Sequence, residues 1–238
     1  PVATNSFGAN MPTGHTSALA KAGATPFAVL EVDEHYLARV IDETTPRAVA
    51  LLNLSRDQLD RAKEVAMMAQ MWRTALAAHP SVHVVANADD PMVVWAAINT
   101  AHVVWFSAGQ RWHDDSWVCP ECGGAIERAG GDWRCTSCPL RRPRPHWVVE
   151  EDGVVDPTGA WHQVKLQLPG TVNIGNAATA LAVAAQFGVR PADAVRPECG
   201  RRSHRRTGRS SKAGVHSAIP GSRTGPWDLM TATVTGRR

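Results

Sequence analysis

Over residues 1–195 the apolar positions fall into two alternating textures. Short, nearly unbroken apolar runs at Phe27–Leu30, Arg47–Leu54, Val82–Ala86 and His102–Phe106 read as buried strands. The first stops at acidic Glu31 and the second at polar Asn53, Arg56 and Asp57. From Glu64 to Ala78, Val65, Met68, Trp72 and Leu76 instead recur at helical spacing, with Gln70, Arg73 and Thr74 on the polar side. Pro91 opens a short helix through Ala97. Strands separated by helices predict an α/β fold with a mostly parallel sheet flanked by helices. Trp147-Val-Val and Trp161–Leu168 resume extended structure as an antiparallel pair. Asn173, after Pro169-Gly170, is placed to cap a helix that runs through Phe187 and ends at Gly188.

The alternation is broken at about residues 115–146 by Cys119-Pro-Glu-Cys122 and Cys135-Thr-Ser-Cys138. Two CxxC pairs at that separation put four thiolates around one tetrahedral point, which predicts a zinc ribbon; a disulfide pair or free thiols are the alternative. Gly123, Gly124, Gly130 and Gly131 supply tight turns between the pairs. Four sulfur ligands leave no open coordination position, so such a zinc holds structure and does no chemistry. Trp112, Trp117, Trp133 and Trp147 are expected to pack the ribbon onto the sheet. His113 and His146 flank it as structural or solvent-facing residues.

Charge is distributed unevenly. The net +3 conceals a stretch, residues 196–238, with ten Lys/Arg against Glu198 and Asp228, leaving residues 1–195 at −5. This stretch is rich in Ser, Gly and Arg and poor in large apolar residues, so it reads as a basic low-complexity tail, expected to be disordered. It also has the composition of a GC-rich gene read in a shifted frame. No apolar run reaches the length of a membrane span; Ala177–Ala185 reads as a buried helix. Four of five cysteines sit in the CxxC pairs, a usage that suits a reducing cytoplasm.

Open α/β sheets bind ligands beyond the carboxyl ends of their strands. Glu31, Asn53, Asp57 and Asp60 fall just past such ends and are candidates for a metal–nucleotide site. The alternative is that Asp57 and Asp60 cap the following helix and Glu31 is a solvated strand end.

Several phrases in order resemble the Mur ligases, in particular the MurT-type subunits of glutamine-hydrolysing lipid II isoglutaminyl synthase. They are Thr4-Asn5 with Gly8-Ala-Asn-Met11, Leu30–Glu34, Leu52–Arg61, Asn87–Pro91 and Gly170–Ala177, together with a four-cysteine ribbon inserted in the central domain. The resemblance covers about residues 1–195 and implies the Mur ligase central, ATPase-type domain. It further implies ATP-dependent amidation of the D-glutamate α-carboxylate in the lipid II stem peptide. That carboxylate is activated as an acyl phosphate and attacked by ammonia from a GatD-type glutaminase partner, to give D-isoglutamine at the cytoplasmic membrane face. By the same resemblance Glu31 helps hold Mg²⁺, and Asn53, Asp57 and Asp60 lie near the ATP phosphates. Asn173 and Asn176 pair with the adenine edge or order its pocket.

The chain also departs from this pattern. It contains no Gly-Lys-Thr or Gly-Lys-Ser; Gly170-x4-Gly175 is followed by Asn176, and an amide cannot supply the cation between β- and γ-phosphates. Gln58 stands where many Mur ligases carry a metal-binding histidine. The expectation is a fragment without the P-loop and the C-terminal domain, inactive by itself. The competing reading is a zinc-ribbon nucleic-acid-binding protein using its basic tail and nine tryptophans; the acidic body counts against it. A folylpolyglutamate synthetase shares the expected fold, but the ribbon argues against it.

Overall fold

The computed structural model describes residues 2–5, 9–23, 25–54, 62–109, 113, 116–166, 170–195 and 228–233. In chain order the elements are β1 (Val2–Thr4), α1 (Pro12–Lys21), β2 (Phe27–Glu31), α2 (Leu37–Thr44), β3 (Ala48–Leu51), α3 (Ala62–Ala78), β4 (His83–Asn87), α4 (Pro91–Ala97) and β5 (Val103–Ser107). There follow β6 (Ile126–Ala129), β7 (Asp132–Cys135), β8 (Trp147–Glu150), β9 (Gly153–Val155), β10 (Trp161–Gln163), α5 (Thr171–Gln186), α6 (Pro191–Ala194) and β11 (Asp228–Thr233).

One sheet has the order β1-β2-β11-β3-β4-β5-β8-β9-β10. It is parallel from β1 to β8, and β9 and β10 extend it antiparallel. All four residues of β3 are buried, as are the last four of β4, because helices cover both faces there. On one face Leu30, Val49, Leu51, Val84 and Ala86 pack with Leu37 and Ile41 of α2, Trp72 and Leu76 of α3, and Val93 and Val94 of α4. On the other, Ala48, Ala50, Val85 and Phe106 pack against Ala178, Leu181 and Ala182 of α5. The predicted α/β class and mostly parallel sheet are therefore present.

Four expectations are corrected. Trp147-Val-Val and the segment from Trp161 do not pair with each other, because the chain turns back through β9, which lies between β8 and β10 and is antiparallel to each. Asn173 does not cap α5: Gly170 is the N-cap, and its φ of 121° is a backbone state that a side chain would strain. Asn173 lies inside the first turn. Trp117 is 57% exposed, so it does not pack the four-cysteine segment onto the sheet, whereas Trp133 and Trp147 are buried. Finally, the expected disorder fails for part of the basic stretch, since Asp228–Thr233 forms β11, paired in parallel with both β2 and β3. Thr231 and Thr233 are β-branched and favour a pleated strand, and two partners satisfy both rows of backbone groups. Trp112 and the rest of 196–238 lie outside the described residues.

Candidate functional site

Glu31 closes β2 at the carboxyl edge of the sheet, half-buried. Its backbone is fixed on three sides. Asn5 Oδ1 accepts its N–H at 2.9 Å, Asn5 Nδ2 donates to its carbonyl at 2.7 Å, and His15 Nε2 lies 2.9 Å from the same oxygen. The Thr4-Asn5 phrase thus sets the base from which the Glu31 carboxylate projects. Asn53, half-buried, stands two residues beyond β3. Leu54 beside it is tethered, its N–H donating to Asp90 Oδ2 at 2.8 Å. Asp57 and Asp60 lie outside the described residues.

Helix α5 runs antiparallel to the strands. Its last turn meets their amino ends, where Phe187 packs edge-on against Phe27 at 6.1 Å and Arg47 lies 4.6 Å above the Phe187 ring. Its first turn accordingly reaches the carboxyl edge. There a Cβ on Gly175 would come within 2.9 Å of the Ala108 Cβ, so helix and β5 exit approach as closely as glycine permits. Asn173, half-buried, and Asn176, exposed, sit on that turn. Glu31, Asn53, Asn173 and Asn176 therefore share one edge of the sheet.

The four CxxC sulfurs lie within 4.8 Å of one another. Cys119 Sγ is 3.6 Å from Cys138 Sγ, and Cys122 Sγ 3.5 Å from Cys135 Sγ; none forms a disulfide. Zinc–sulfur bonds of about 2.3 Å in a tetrahedron set sulfurs about 3.8 Å apart, so this donor set fits such an ion. Each hairpin also turns a backbone N–H toward a sulfur: Gly124 N to Cys122 Sγ at 3.4 Å and Ser137 N to Cys135 Sγ at 3.3 Å. Any side chain at Gly124 would strike Ser137 Oγ at 2.6 Å. Burial pushes the Cys119 thiol up to about 12, while the Ser137 N–H brings Cys135 down to about 7. Four thiols this close cannot all ionise without a cation among them.

The attachment of this four-cysteine module was not legible as function. Asn87–Pro91 reads in the sequence as a turn and helix start; in space it is the dock. Trp133 Nε1 donates to the Ala88 carbonyl at 2.9 Å. Arg142 Nε and Nη2 donate to Asp89 Oδ1 at 2.9 and 2.7 Å. Trp95 Nε1 donates to Glu121 Oε2. Asp90, 1% exposed, caps α4 through Met92 N–H at 2.9 Å. Burial pushes its carboxyl above the ordinary value, against the pull of the Leu54, Met92 and Val93 N–H groups and of Arg128. Arg128 is in turn lowered by burial, with Asp90 and Asp89 opposing. Asp90-Pro91 is a recognisable N-cap signal; the partners of Asp89 are not, since Arg142 is far away in sequence.

No family profile matches the chain. It is 32% identical over 132 residues to the MurT subunit of lipid II isoglutaminyl synthase (glutamine-hydrolysing) from Staphylococcus aureus strain COL, covering 52% of this chain and 30% of that protein. Against the MurT subunit of Streptococcus pneumoniae strain R6 it is 30% identical over 213 residues, covering 79% and 47%. The chain thus spans less than half the length of these curated relatives. In fold it is similar to a pseudomurein peptide ligase type C from Methanothermus fervidus, with a TM-score of 0.57 and 19% identity, over 79% of this chain and 41% of that one.

Proposed function

Because the chain belongs to the Mur ligase family, with MurT subunits among its relatives, we propose that it is part of an ATP-dependent amide ligase of peptidoglycan synthesis. In this reading the enzyme amidates the D-glutamate α-carboxylate of the lipid II stem peptide to D-isoglutamine, using ammonia from a GatD-type glutaminase partner. It works on the cytoplasmic side of the membrane; no described helix is long and apolar enough to cross one.

In its support, Glu31, Asn53 and the first turn of α5 lie along the same carboxyl edge of a parallel sheet, the edge at which such sheets take ligands, with Glu31 and α5 at separate strands of it. A carboxylate is a poor electrophile; ATP with Mg²⁺ supplies the phosphoryl group that activates it and the dication that offsets the charge. Glu31 offers a carboxylate to the dication from a backbone pinned by Asn5 and His15. Asn53 offers an amide to phosphate oxygens, and Asn173 and Asn176 offer amides to an adenine edge. Asp57 and Asp60 join the phosphate end by sequence position alone. Cys119, Cys122, Cys135 and Cys138 would hold a structural zinc, with no coordination site left for substrate. Two module arginines pair with carboxylates, Arg142 with Asp89 and Arg134 with Glu127, and Arg128 donates to the Ser116 carbonyl and hydroxyl, which disfavours nucleic acid as the ligand.

The test is calorimetric titration of the full chain with ADP and with a non-hydrolysable ATP analogue. Binding should require Mg²⁺ and weaken about tenfold, roughly 1.4 kcal/mol, in Glu31→Gln. Mg²⁺-independent binding, or equal affinity in the variant, removes Glu31 from the role and the reading with it.

A further inference from the structure

We propose that Arg142 is a positioning residue, a latch through which the four-cysteine module sets the turn at Ser107–Gly109 and hence the footing of α5 at the carboxyl edge. Arg142 is held alongside β7: its N–H donates to the carbonyl of Trp133, two residues before Cys135, at 2.9 Å. Its guanidinium then crosses to the body and gives Nε and Nη2 to Asp89 Oδ1. The same Nη2 reaches Ser107 Oγ at 2.7 Å. Asp89 Oδ2 is saturated by a second set of donors, the Ser107 hydroxyl at 3.1 Å and the backbone N–H groups of Ala108 and Gly109 at 3.0 and 2.9 Å.

These donors surround a buried carboxylate. The Asp89 side chain is 7% exposed and that of Arg142 18%. Two successive amides aimed at one anion need a tight turn, and Gly109 supplies it with φ of 68°. Ala108, inside that turn, is the residue against which Gly175 of α5 closes. A displacement of β7 is thereby passed through Arg142 and Asp89 to the turn, and from the turn to the helix that carries Asn173 and Asn176. Breaking a buried pair leaves an uncompensated charge, so the turn cannot keep its geometry once the guanidinium is gone. The latch stands on these contacts alone; its consequence for nucleotide rests on the function proposed above.

Amide hydrogen exchange of the full, zinc-loaded chain tests the latch. In Arg142→Met, exchange at Ala108 and Gly109 should rise about tenfold or more, while Val84 and Val85 in β4 keep wild-type rates. Stripping zinc from the wild type should raise the same two amides. Stripping it from Arg142→Met should add nothing, because the connection is already cut. Arg142→Lys should restore part of the protection. If Arg142→Met does not fold, Ser107→Ala removes the bridging hydroxyl and should raise the same amides more modestly. Unchanged exchange at Ala108 and Gly109, a rise spread across the whole sheet, or fully additive effects of zinc removal and mutation would each overturn the proposal. Mg²⁺–ADP titration of the unaltered chain reads the proposed function separately, so either can fail while the other stands.

Discussion

Trp133 is where the four-cysteine module is most deeply joined to the body, and replacing it with phenylalanine isolates one interaction. The side chain is 3% exposed, lies in the same core as Trp72 and Leu76, and donates its indole N–H to the Ala88 carbonyl. Phenylalanine keeps an aromatic ring but deletes the donor, which leaves a buried carbonyl unsatisfied at about 1–3 kcal/mol. The missing part of the indole adds a small cavity worth about 1 kcal/mol. For a domain of this size each kcal/mol moves the midpoint by about 2–4 °C, so Trp133→Phe should melt about 5–15 °C below wild type. Trp117 is the control within the same module: at 57% exposure, Trp117→Phe should stay within about 0.5 kcal/mol of wild type. Differential scanning calorimetry of the metal-loaded proteins reads both. A Trp133→Phe midpoint within about 1 °C of wild type, or equal losses in the two variants, would refute the docking argument.

Two further outcomes follow from the same packing and electrostatics. Gly175→Ala gains about 1 kcal/mol of helix propensity, but its Cβ would sit 2.9 Å from Ala108 Cβ, and neither short side chain can yield. A net loss of about 1–3 kcal/mol in chemical denaturation is expected; a stabilised variant would show that α5 and the β5 exit are not so closely packed. At Asp156, burial acts upward, but Thr158, His162 and the Ala160 N–H outweigh it and bring the carboxyl down to about 2. A folded-state value below the unfolded one gives stability that is complete above about pH 5 and is lost as pH falls through 4 toward 2. Asp156→Asn should flatten that acid limb by about 2 kcal/mol between pH 5 and 2; an unchanged pH–stability slope contradicts the assignment.

The strands and helices of the body are legible in the sequence because each obeys a local rule. The apolar runs at Phe27–Leu30, Val82–Ala86 and His102–Phe106 match β2, β4 and β5 to within a residue or two, and the periodic stretch from Glu64 matches α3. Helices α1 and α2 are not legible in this way: α1 buries His15 and has no strong apolar stripe, and α2 spans only Leu37–Thr44. The four thiols are legible from spacing alone, since two turns of fixed geometry define one point in space. What spacing cannot show is the surface on which that point rests. Asp89, Arg142, Trp133 and Ala88 come from segments distant in the chain, and only the folded sheet makes them neighbours. β11 escapes notice for a related reason: only Thr231 and Thr233 among its six residues are strand formers, and it is pairing with β2 and β3, distant in the chain, that makes it a strand.

As proposed, the four-cysteine cluster is a metal-bound joint fixed to the α/β body through Trp133 and Arg142. X-ray absorption at the zinc edge, with elemental analysis of the same full-chain sample, tests this most directly. One zinc per chain with four sulfurs at about 2.3 Å is the predicted result. Metal-free protein, a mixed nitrogen or oxygen ligand shell, or disulfides within the tetrad would contradict it.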